Sequence, residues 1–186
     1  DPHNTGIDKI RIAADTGLAE GAYYINIEQN IKASSVIPSG ANISAVNVAA
    51  SELDDGTYIL EAIADNKVQL FKQGDSGEKK EVGAEIALTP GDSEVTIEGV
   101  VFTIGASGVD EGDYLVFTQN TTYTASLHDS NGNLIGSEGD VVEVTAGQKD
   151  IVVGDIDDGK VVRFDIGETI AAGEATFAIR SSDYGT

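Results

Sequence analysis

Apolar and polar residues alternate in short runs along nearly the whole chain, and Gly, Asp, Asn and Ser interrupt the runs. That is the pattern of half-buried strands joined by turns. The stretch 102–117, FTIGASGVDEGDYLVF, sets the form: Phe102 and Ile104 flank Thr103, a small and acidic segment follows, and Tyr114 and Val116 resume the alternation. The same form recurs at 10–25 (IRIAADTGLAEGAYYI), 46–60 (VNVAASELDDGTYIL) and 164–179 (FDIGETIAAGEATFAI). The best helical candidate, 31–36, is short and runs into Pro38-Ser39-Gly40, which would stop a helix. The chain is therefore expected to be all-β.

Two long segments, 49–105 and 106–167, align with each other. SELDDGTYIL (51–60) matches SGVDEGDYLV (107–116), so Gly56 falls opposite Gly112 and Tyr58 opposite Tyr114. Further on, Gly91 falls opposite Gly147 and Phe102 opposite Phe164. A repeat of this length exceeds a solenoid rung and suits a small sandwich. The expected fold is a set of tandem small antiparallel β-sandwich (Ig-like) modules with an internal repeat. The expected divisions are a short N-terminal β module at 1–48, sandwich modules at 49–105 and 106–167, and a closing or exchanged strand within 168–186.

Charge narrows the partners. The chain carries 32 acidic and 11 basic side chains, a formal net charge of -21, and such a field repels phosphate backbones. Nucleic acid is excluded as an expected partner, whereas high salt and divalent cations are compatible. Cys, Met and Trp are all absent, so neither a disulfide nor a thiolate metal site can form, and sheet packing must supply stability. No apolar run approaches the roughly 18 residues of a membrane span, and membrane insertion is not expected. The start at Asp1 without Met fits a chain processed or excised from a longer one. This composition points to an extracellular or cell-surface protein, with a virion as the alternative.

Candidate chemistry is sparse. Neither histidine, His3 or His128, lies in a recognisable nucleophile motif, and no HExxH, GxSxG or P-loop pattern occurs, so no catalytic residue is nominated and the chain is not expected to be an enzyme. Gly21, Gly56, Gly112 and Gly173 sit between strands, where they can supply positive φ to the connections. Asp129, Asn131, Asn133 and Asp140 stand at the first, third, fifth and twelfth places of a stretch, the spacing of oxygen ligands in a calcium loop. However, its Gly132 is at the fourth place and Leu134 at the sixth, and an Asx-Gly hairpin turn explains the same residues. Asp155, Asp157 and Asp158 form a second acidic turn and a second candidate for a divalent ion. Calcium is the one cofactor considered. Tyr23, Tyr58 and Tyr114 recur two residues after a Gly, which suits either a sugar-stacking platform or, preferred here, corner packing with the hydroxyl on backbone.

Two segments carry a family resemblance. KIRIAADTGLAEGAYYINIEQNIKAS (9–34) and TIEGVVFTIGASGVDEGDYLVF (96–117) resemble the outer β-domains of bacterial flagellar axial proteins: the filament cap, the hook-associated proteins and the variable region of flagellin. The helical ends that build such filaments are not in this sequence. The resemblance therefore implies an outer portion, structural in role, outside the cell and without catalytic residues. Self-association into an oligomer or polymer through edge or terminal strands, 7–13 and 174–180, is the expected mode of action. The alternatives are a carbohydrate- or calcium-binding adhesion module, or a structural protein of a virion tail or head.

Overall fold

The computed structural model describes residues 5–180. The first strands are β1 (Ile7–Arg11), β2 (Gly21–Pro38), β3 (Ile43–Asn47), β4 (Gly56–Ala64) and β5 (Lys67–Gln73). Next come β6 (Lys79–Ala87), β7 (Glu94–Ile97), β8 (Val100–Ile104) and β9 (Tyr114–Asp129). A 3-10 turn at Glu138–Asp140 precedes β10 (Val142–Val144), β11 (Ile151–Asp155), β12 (Lys160–Ile166) and β13 (Gly173–Ile179). The sheets are antiparallel, as expected of an all-β chain. Among the described residues no helix is long and apolar enough to cross a membrane. The segment 31–36, the best helical candidate, is instead part of β2.

Two compact units form: 31–121, called here the inserted unit, and a host unit made of 1–30 with 122–186. In the inserted unit β8 lies between β3 and β7 in one sheet, and β9, β4, β5 and β6 follow one another in a second. Residues 31–38 of β2 run along β9, where Ser39 N–H donates to the Tyr114 carbonyl at 2.8 Å and the Asn120 amide reaches Ser34 Oγ at 3.3 Å. Alternation decides what is buried: Tyr58, Leu60 and Ala62 of β4 face inward, as do Val100, Phe102 and Ile104 of β8. Their side chains meet in one core with Val68, Leu70, Leu115 and Phe117. Burying each large apolar side chain is worth about 1.5–3 kcal/mol, so the two faces hold each other in a sandwich-like arrangement.

The host unit has its own core of Leu18, Ile25, Ile27, Leu127, Val153, Phe164 and Ile166. One of its sheets has β12 between β1 and β11, and the other runs β13, β2, β9, with β10 beside β9. Strand order is the same in the two units. The first strand, β1 or β3, pairs with β12 or β8, and each pairing has a bulge after its first residue pair, Ile7 opposite Ile166 and Ile43 opposite Ile104. In the other sheet Tyr23 of β2 pairs with Phe177 of β13, and Tyr58 of β4 pairs with Phe117 of β9. These rings stack at 5.9 and 5.6 Å. Where β4 turns directly into β5 through Asp65-Asn66, the host's β2 and β9 are separated in sequence by the whole inserted unit.

The two units are not the serial modules expected at 49–105 and 106–167, nor is 1–48 a module of its own. The physical reason is that β2 and β9 are long strands that contribute residues to both units, so no turn or loop marks the boundary. The match of 51–60 with 107–116 aligned β4 with β9, two strands that pair side by side in one sheet. By strand order Gly56 and Tyr58 correspond to Gly21 and Tyr23. The recurrent strand-turn-strand segments are arches: β1 to β2, β3 to β4, β8 to β9 and β12 to β13 each pass from one sheet to another. β13, inside the expected closing segment, pairs with β2 of this chain from Gly173 opposite Ile27 to Ile179 opposite Gly21.

Candidate functional site

The acidic turns that sequence singled out lie at one end of β9 and β11. β9 ends at Asp129, whose Oδ1 accepts the backbone N–H of Asn131 at 2.9 Å and of Asn133 at 3.0 Å. Its Oδ2 accepts the Asn133 side-chain amide at 3.2 Å, and Gly132 takes φ +85° to close the turn. These donors, the Asn133 N–H foremost, hold the Asp129 carboxyl below the usual carboxylate range, because hydrogen bonds to the charged form favour it. Asp129 and Asn133 thus spend their polar atoms on an Asx turn. Asp140 closes the 3-10 turn: its Oδ2 accepts the Ser137 N–H at 2.8 Å and the Ser137 hydroxyl at 3.2 Å.

Asp140 does not join Asp129, Asn131 and Asn133. It lines a cleft of about 340 Å³ with Gly136, Ser137, Asp155, Asp157 and Asp158, so one member of the first candidate set meets the whole of the second. Within that cleft the Asp155 Oδ1 accepts the Asp158 N–H at 3.2 Å. Among the described residues no group of three or more His, Asp or Glu side chains is placed to hold a metal ion. Coulomb repulsion between the carboxylates would favour a cation here, while the hydrogen bonds of Asp140 and Asp155 serve their own turns.

Sequence reasoning passed over one constellation. Ser126 and His128 are two apart on β9 and so share a face, opposite the core residues Ala125 and Leu127. The Ser126 hydroxyl lies 2.8 Å from His128 Nε2, and His128 Nδ1 lies 3.3 Å from the Gly132 carbonyl. A carbonyl can only accept, so in the neutral imidazole this contact selects the tautomer with the proton on Nδ1, which leaves Nε2 to accept from the serine. Tyr24 stacks on the imidazole with ring centroids 5.0 Å apart and planes 5° apart. The available signal was the period of two; the contact with Tyr24 comes from the neighbouring strand. His3 lies outside the described residues.

The recurrent tyrosines divide. Tyr23 and Tyr58 are buried at 8% and 2% exposure, and their hydroxyls donate to the carbonyls four residues back, Ala19 at 2.9 Å and Asp54 at 2.6 Å. Burial, then the nearby Asp54 and Asp55, pushes the Tyr58 hydroxyl pKa up. Tyr114 alone of the three is exposed, at 37%, which takes the other two rings away from any stacking platform.

A charged network covers the outer side of β1 and β12. Arg11 and Arg163 are cross-strand partners, and like charges there would repel. Asp165 and Asp150 separate them: Arg11 reaches Asp165 at 2.8 Å and Asp150 at 3.3 Å, and Arg163 reaches Asp150 at 3.0 Å. The Arg11 hydrogen bond, followed by the Asp150 N–H, holds the Asp165 carboxyl far below the usual range.

No family model, no curated protein and no solved structure matches this chain.

Proposed function

We propose that the chain is a non-catalytic structural subunit or outer domain of an extracellular assembly of the flagellar-filament type, acting through self-association and surface exposure. Its two units, sharing one strand order, are Ig-like sandwich copies of a single ancestral module. The observation that carries this reading is the contrast between turns and edges. Asp129, Asp140 and Asp155 give hydrogen-bonding capacity to their own turns, while the first and last described strands, β1 and β13, stand at sheet edges. An edge strand offers a row of N–H and C=O groups to another chain.

The calcium-binding alternative has one observation in its favour, the cleft that brings Asp140 to Asp155, Asp157 and Asp158. One experiment addresses both: size-exclusion chromatography with light scattering, first in EDTA and then in millimolar calcium. Oligomers in both buffers support the structural reading, and assembly that appears only with calcium favours the acidic cleft. A monomer at every concentration in both buffers would sink self-association.

A further inference from the structure

Sheet edges invite unwanted pairing, and proteins blunt them with charged side chains, above all lysine, and with prolines, bulges and short strands; a left-handed residue bends an edge in the way a bulge does. The edges of this chain are nearly all treated in that way. β6 carries Lys79, Lys80 and a left-handed Gly83 at φ +70°. Residues 31–38 of β2 carry Lys32, Pro38 and Ser35 at φ +50°. β1 has Lys9 and a bulge, β3 has a bulge, β7 is four residues long and β10 three, and β11 contains Gly154 at φ +118°. β13 differs. From Glu174 to Ile179 its one charge is Glu174, at the start of the strand; it holds no lysine, no proline and no left-handed residue, and its pairing with β2 is continuous over seven residues.

A second observation says what covers such an edge. By strand order β13 corresponds to residues 114–121 of β9, Phe177 to Phe117. In the inserted unit the far edge of that strand is occupied by an antiparallel strand, residues 31–38 of β2. In the host unit β13 is the last strand of its sheet among the described residues.

We propose that the far edge of β13 pairs antiparallel with β13 of a second copy of the chain, joining two host-unit sheets edge to edge across a two-fold axis. This rests on the self-association reading above and names its contact. One register pairs all seven residues, the one centred on Thr176. It sets Thr176 opposite itself and Glu174 opposite Ala178 of the second copy, so the only charges in the strand, the two Glu174 carboxylates, do not face each other. Opposed threonines are a favourable cross-strand pair, and opposed carboxylates are not. A two-fold contact of this kind is self-complementary and closes at a dimer. A seven-residue pairing is small, and with a net charge of -21 per chain it forms best at high protein concentration and raised salt, where repulsion is screened.

The chain has no cysteine, so a single introduced thiol reports one position. Glu174, Thr176 and Ala178 are exposed, and Glu174→Cys, Thr176→Cys and Ala178→Cys each leave the core untouched. Under mild oxidation Thr176→Cys is expected to double in mass on a non-reducing gel, whereas the other two variants alone remain single chains and cross-link when mixed with each other. Equal cross-linking of all three variants alone would mean random collision and overturns the proposal. Oligomers by light scattering without a Thr176→Cys cross-link also overturn it, while leaving self-association standing. A wild-type chain that is monomeric at every concentration overturns both.

Discussion

At the scale of single residues, the side chains with the most to lose are the ones that close the arches. Tyr58 puts its ring in the inserted core and its hydroxyl on the Asp54 carbonyl; Tyr23 does the same in the host with Ala19. Removing the hydroxyl leaves a carbonyl short of a donor, at a cost of about 0.5–1.5 kcal/mol for such a bond. Tyr58→Phe and Tyr23→Phe should each lose about that much in urea unfolding, while Tyr114→Phe, at an exposed ring, should change stability by less than about 0.5 kcal/mol. The Arg11–Asp165 pair makes a prediction in pH. Because the folded state depresses the Asp165 pKa, its contribution is fully present above the unfolded aspartate value and is lost as pH falls below it. Arg11→Gln should therefore be less stable than the wild type at neutral pH. The difference should shrink once the solution is more acidic than the ordinary carboxylate range of about 4; denaturant unfolding at pH 7 and pH 3 measures it.

At the scale of elements, strands were legible and their grouping was not. Tyr58, Leu60 and Ala62 are buried while Ile59 and Glu61 between them are half-buried, since a strand sends successive side chains to opposite faces. The arches were read as strand, turn, strand, but nothing in a turn of Gly and acids says whether the next strand pairs with the last or crosses to the other sheet. For that reason the Gly-x-Tyr of β4 matched the Gly-x-Tyr leading into β9 as readily as that of β2. The unit boundary was hidden for a related reason: β2 and β9 pass through it without a turn, and the polar lapse in alternation there, Glu28-Gln29-Asn30 in one strand and Gln119-Asn120-Thr121-Thr122 in the other, does not by itself mark a change that only long-range pairing makes. The acidic candidates behaved alike. The Asp129 turn could be read because its partners are local, and the meeting of Asp140 with Asp155 could not, because strand pairing brings it about. The arches also expose a backbone requirement. Gly21 and Gly56 begin equivalent strands at φ +150° and +153°, a region costly for any residue with a Cβ. A Cβ on Gly21 would meet nothing within 4 Å, so Gly21→Ala isolates the backbone term. It should cost about 1–3 kcal/mol by thermal or urea unfolding, whereas Gly40→Ala, also in open space and without positive φ, should be close to neutral.

At the scale of the whole molecule, the question is whether a chain with one unit placed inside a hairpin of the other unfolds as one body or two. Each unit has a separate core drawn from its own residues: Leu60, Leu70, Phe102 and Phe117 in one, Ile25, Leu127, Phe164 and Ile166 in the other. Apolar burial is the dominant stabilising force, and separate cores make for separately cooperative segments. β2 and β9 are the elements with residues in both units, so they are the ones through which damage could spread. Leu60 is fully buried in the inserted unit, and Leu60→Ala should cost about 2–5 kcal/mol there through lost transfer energy and the cavity left behind. Hydrogen exchange can then be read unit by unit. β5 and β8 should lose protection, while β11 and β12, which belong to the host alone, should keep theirs. Ile166→Ala should give the reciprocal pattern. If either substitution lowered protection equally in all four strands, the two cores would be one cooperative unit, a single folding domain in spite of their separate residues.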